Sequence, residues 1–117
     1  MTGIAEKRHR ILALLHLTDD PAVRDTDAVP AGEDIGAADA LGLDWPDGQA
    51  HVSVYLFPGY AEAAAAQERL RAYAAQTDLT VETAVNGGLL LWAVAPGDDD
   101  GAVARIDGLA GSFAGRE

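Results

Sequence analysis

Apolar and polar positions alternate along this chain with two different periods, and the changes of period divide it into elements. The clearest alternation runs from Thr80 to Pro96, TVETAVNGGLLLWAVAP, where two runs of strand-forming residues flank Asn86-Gly87. That dipeptide tolerates positive φ at both central positions of a two-residue turn, and in this setting it is the strongest short-range hairpin signal. With Asn86 and Gly87 at the centre, Val85 faces Gly88, Thr83 faces Leu90 and Val81 faces Trp92. A period of two then places Leu79, Val81, Thr83, Val85, Leu90, Trp92 and Val94 on one face. Thr80, Glu82, Ala84, Leu89, Leu91 and Ala93 fall on the other.

The same period recurs in His51–Phe57, where Val52, Val54 and Leu56 alternate with His51, Ser53, Tyr55 and Phe57 before Pro58-Gly59 ends the strand. The helical period governs three other stretches. Tyr60–Gln76 is alanine-rich, with Ala63, Ala66, Gln67, Leu70, Tyr73 and Ala74 on one side. Gly101–Ala114 carries Val103, Ile106, Leu109, Ala110 and Phe113 as its apolar stripe, and Asp98, Asp99 and Asp100 suit the positive end of its dipole. Gly3–Leu17 groups Ile4, Ile11, Leu12, Leu14, Leu15 and Leu17 opposite Glu6, Lys7 and Arg10. It is too short to be stable undocked.

Between the first helix and the first strand, Thr18–Asp47 follows neither period. It holds Pro21, Pro30, Pro46 and nine acids against Arg24 alone. The prolines argue against a long helix, and weak order is expected between Pro21 and Gly32. Within it, Ile35, Ala38 and Leu41 suggest a short helix over Asp34–Leu43 capped by Asp34, and Trp45 offers an anchor to the core.

This order predicts one α+β domain over residues 1–117: an N-terminal helix (1–17), an acidic irregular connection (18–47) and a βαββα core (48–117). The core resembles a ferredoxin-like sandwich, a three-stranded antiparallel sheet with its helices on one face. The Thr80–Val85 and His51–Phe57 strands are expected at the edges. At 117 residues the chain can bury one core, not two.

Charge narrows the partners. The net charge is −11, with residues 1–17 at +2, residues 18–47 at −8 and residues 48–117 at −5. Such acidity disfavours nucleic acid and anionic membranes, both of which select Lys and Arg. No apolar run is long enough to span a bilayer, and Ile11–Leu15 behind Lys7, Arg8 and Arg10 is too short for a signal segment, so a cytoplasmic protein is expected. The absence of cysteine removes disulfides and thiolate metal sites.

Candidate chemistry is sparse. His9 and His16 lie seven apart, too far for joint ligation, and neither Asp25-Thr26-Asp27 nor Asp98-Asp99-Asp100-Gly101 matches a calcium loop, so no metal and no cofactor are expected. His51 and Tyr55 share a strand face and are the polar groups that an apolar pocket there would use. The strongest signal is an apolar second sheet face, read as Tyr55, Phe57, Leu89, Leu91 and Ala93, which water would not tolerate uncovered. Either a second chain or Leu12 and Leu15 of the first helix must cover it. The sequence therefore predicts a non-enzymatic interaction module, homodimeric through that face or bound to a protein partner. The alternative is a small dimeric enzyme resembling α+β barrels, with a pocket at His51 and Tyr55.

Overall fold

The computed structural model describes residues 4–18, 20, 22–29, 31–46, 50–76 and 78–114. Gly3, Pro21, Pro30 and Asp47, which figure in the sequence reading, lie outside them. Five strands form one antiparallel sheet: β1 (Arg24–Thr26), β2 (Asp39–Asp44), β3 (His51–Leu56), β4 (Leu79–Asn86) and β5 (Leu89–Pro96), in the order β1-β2-β3-β5-β4. Three α-helices pack on it: α1 (Arg8–Leu14), preceded by a 3-10 turn over Ile4–Lys7, α2 (Tyr60–Ala74) and α3 (Asp100–Phe113).

The chain is thus α+β, but two parts of the expected core are corrected. The sheet has five strands, not three, because the acidic connection supplies β1 and β2, and β2 pairs along the whole of β3. The short helix expected over Asp34–Leu43 is instead a 3-10 turn, Gly32–Ile35, followed by β2. Spacing of Ile35, Ala38 and Leu41 suits a helix, yet Leu41 and Leu43 also alternate. The free edge of β3 decides the contest, since pairing there satisfies a full row of backbone groups.

The second correction concerns the layers. The helices lie on both faces of the sheet, not one, and this departs from the ferredoxin-like arrangement. On the first face Leu43, Val52, Val54, Leu89, Leu91 and Ala93 pack against Ile11, Leu12 and Leu15 of the α1 region and Ile106, Leu109 and Phe113 of α3. On the second, Tyr55, Phe57, Leu90 and Trp92 pack against Ala63, Ala66 and Leu70 of α2 and against Ile35. Small alanines let α2 lie close to the sheet, and α3 is capped by Asp99, whose side chain accepts the Ala102 N–H at 3.0 Å.

The hairpin exists, with its turn one residue later than Asn86-Gly87. Gly87 and Gly88 form the loop, Asn86 pairs with Leu89, and Val85 pairs with Leu90 rather than Gly88. Gly87 has a φ of 58° and Gly88 takes no positive φ, as in turns that place glycine at the first central position. The altered register moves each cross-strand partner by two residues, so both hairpin faces keep the predicted membership.

The N-terminal helix ends in a Schellman motif. Leu17 N–H donates to the Leu12 carbonyl (2.8 Å) and His16 N–H to that of Ala13 (3.1 Å), with His16 held at φ 58°. The acidic segment is tied down by Trp45, which is buried. Its indole N–H donates to Asp20 at 2.9 Å while the Arg105 guanidinium stacks 4.6 Å from its ring centre. The Trp45 and Ala22 N–H donors hold the Asp20 carboxyl below its ordinary pKa. This contact therefore stabilises the fold above the ordinary carboxylate range and loses that contribution as pH falls through the lowered value.

Candidate functional site: an apolar notch beside an acidic cleft

β3, β5 and β4 present alternate residues to the α2 side, and at their far ends these are His51, Val94 and Val81, with Trp92 one step inward. Helix α2 stops at Ala74, and β4 begins at Leu79. The helix therefore leaves that end of the sheet uncovered, and a notch of about 230 Å³ opens there. Its floor is Trp92, Val94 and Val81, and its rim is Tyr73, Leu79, Val29 and His51.

Val29 reaches the notch because residues 27–29 cross the sheet face over β2 and β3. The crossing is pinned at three atoms. Val29 N–H donates to Ser53 Oγ (3.0 Å), Ser53 Oγ–H donates back to the Val29 carbonyl (3.3 Å), and His51 Nε2 lies 3.2 Å from the Asp27 carbonyl oxygen. Ser53 is buried, and these bonds satisfy its hydroxyl. Gly42 of β2 makes the crossing possible, since a Cβ there would sit 2.4 Å from the Asp27 carbonyl oxygen.

Among the described residues, four large apolar side chains are exposed: Val29 (57%), Tyr60 (64%), Tyr73 (51%) and Leu79 (44%). Three of the four rim this notch. Scattered exposed apolar residues mean little, whereas these three converge on one concave apolar floor, which makes it a candidate site.

On the other side of Val29 and Tyr73 lies a wider, shallow cleft of about 1120 Å³ between the 27–40 segment and α2. Asp27, Glu33, Asp34 and Asp39 line it, with Arg69 as the one cation among the described residues there. The Arg69 guanidinium donates to the Ile35 carbonyl at 2.9 Å.

The expected site residues divide between the two faces. Tyr55 and Phe57 do not share a face with Leu89, Leu91 and Ala93, because Val54, not Tyr55, pairs with Leu91. Leu12, Leu15, Leu89, Leu91 and Ala93 form one buried layer within the chain, and Tyr55 and Phe57 are buried under α2. Of the two pocket groups, His51 rims the notch. Tyr55 does not line it, and burial pushes its phenol up to about 12, keeping it neutral. Among the described residues, no three His, Asp or Glu side chains are grouped to hold a metal ion.

The sequence reading missed Val29, Tyr73 and Leu79. Helical spacing puts Tyr73 on the apolar side of α2, and its place in the last turn of the helix is the available signal. No family of proteins, no characterised protein and no solved structure matches this chain.

Proposed function

We propose that this chain is a non-enzymatic binding module that docks an apolar side chain or small apolar group in the notch between Val29, Tyr73 and Trp92. The observation that carries the reading is the convergence of three exposed apolar residues on that one concavity. About 230 Å³ is small for a drug-sized ligand and suits one or two side chains of a partner, the geometry of an interface anchor socket. An enzyme built on His51 has less support, since among the described residues no carboxylate and no serine or threonine lines the notch with it and Tyr55 lies elsewhere. Homodimerisation keeps a separate basis in β4, an eight-residue edge strand. An antiparallel register centred on Glu82 would oppose two carboxylates, and one centred on Thr83 would not.

The test is a nuclear magnetic resonance titration with N-acetyl-leucinamide and N-acetyl-phenylalaninamide at millimolar concentration. Shift changes confined to Val29, His51, Tyr73, Trp92 and their neighbours, lost in a Val29→Ser/Tyr73→Ser variant, are expected. Both replaced side chains are more than half exposed, so the fold should survive. Changes spread over the surface, or none, would remove the notch as a binding site.

A further inference from the structure

We infer that the occupant of the notch is a basic segment of a partner protein, one apolar or aromatic anchor flanked by Lys or Arg. This rests on the docking reading and adds the chemistry of the partner. The notch and the acidic cleft share Val29 and Tyr73 as a common wall, so a chain anchored in one passes directly over the other. The two halves differ in character. Among the described residues the notch carries no carboxylate, while four line the cleft.

Three of those four, Asp27, Glu33 and Asp34, are available. Arg8–Asp25, Arg24–Asp44 and Glu68–Arg71 form ion pairs, and none of the three engages Asp27, Glu33 or Asp34. All three are exposed, and Arg69 is directed to a backbone carbonyl. In a chain of net charge −11, an anionic partner, nucleic acid or a second copy of the chain approaches this surface against a repulsive field, and a cationic segment approaches with it. An apolar anchor gives residence, and the flanking cations give rate and selectivity.

The experiment compares three synthetic peptides of one length with a central Phe, flanked by Lys, by Gln or by Glu, binding the full chain. Each exposed carboxylate–lysine contact is weak alone, and three of them together predict roughly tenfold tighter binding of the Lys peptide than the Gln peptide at low salt. The advantage should shrink as salt is raised through the physiological range. Glu33→Gln/Asp34→Asn should reduce the Lys advantage and leave the Gln peptide unchanged, whereas Val29→Ser/Tyr73→Ser should weaken all three. If the Lys and Gln peptides bind equally, the basic partner is wrong and the anchor socket stands. If no peptide perturbs the notch, both fall. A concentration-dependent dimer in sedimentation that Val29→Ser/Tyr73→Ser abolishes would put a second copy in the notch and overturn the inference.

Discussion

Replacing Gly42 by alanine adds one methyl group in the middle of β2 and should loosen the wall of the notch across the sheet. A Cβ at this position would meet the Asp27 carbonyl oxygen at 2.4 Å, its carbon at 2.5 Å and the Thr26 oxygen at 2.7 Å. All three are backbone atoms, so no side chain can swing aside. Ordinary contact begins near 3.4 Å, and residues 26–28 must retreat by about 1 Å. That retreat pulls on the two Ser53–Val29 hydrogen bonds and on the His51–Asp27 contact. Overpacking of this kind costs about 1–3 kcal/mol, and each strained hydrogen bond adds roughly 0.5–1.5 kcal/mol if it is lost. Against this, removing a glycine from the unfolded chain contributes about 0.4–1 kcal/mol in the other direction. The net expectation is a destabilisation of about 2 kcal/mol, or a Tm lower by roughly 10 °C in a domain of this size.

Thermal unfolding followed by circular dichroism measures it, with Gly108→Ala as the internal comparison. Gly108 lies in α3 with nothing within 4 Å of a Cβ, so the same chemical change there should stabilise the helix by about 0.5–1 kcal/mol. Opposite signs for the two substitutions are the result the geometry demands. If Gly42→Ala were as stable as the parent, residues 27–29 would not lie across β2, and the notch would lose the wall that Val29 provides.

Two further predictions bear on the layers. Leu91→Arg places a charge in a fully buried position between the sheet and α3, at a cost of several kcal/mol, and circular dichroism should find the chain unfolded. A variant that stayed folded and only changed its oligomeric state would mean that a second chain, not α1 and α3, covers this face. His16→Gly relieves a left-handed residue in the Schellman motif and should raise stability by about 1 kcal/mol, read as a higher Tm. An unchanged or lower Tm would refute the motif as its cause.

Each strand's own faces were legible in the sequence, because a period of two is a local property. Leu90 and Trp92 share a face with Val81 and Val85, as alternation requires, and Val52 shares one with Val54. The hairpin was legible too, and its glycines mark where the backbone needs them: Gly87 for its φ, and Gly88 because a Cβ would lie 2.5 Å from the Phe57 carbonyl oxygen. What the sequence could not carry was the register between β3 and β5. No short turn joins them, and an offset of one residue exchanges the faces of a whole strand. An offset of one residue sets Tyr55 and Phe57 beside Leu89 and Leu91, whereas the observed register puts the two sets on opposite faces, each packed by helices of the chain.

The acidic segment shows the complementary difficulty. Asp39–Asp44 reads DALGLD, too short and too small in its side chains to declare a strand alone, and its glycine looks like a loop residue. In the folded chain that glycine is the sign of a backbone crossing. Gly42 lies under Asp27, the crossing hides Ser53, and Val29 emerges from it as one wall of the notch. Tyr73 continues that wall, exposed because α2 ends before the strands beneath it do. The site therefore arises where a segment without periodicity meets the end of a strongly periodic core. Of its exposed apolar rim, Val29 comes from the segment without periodicity, while Tyr73 and Leu79 carry the helical and strand patterns to the ends of α2 and β4.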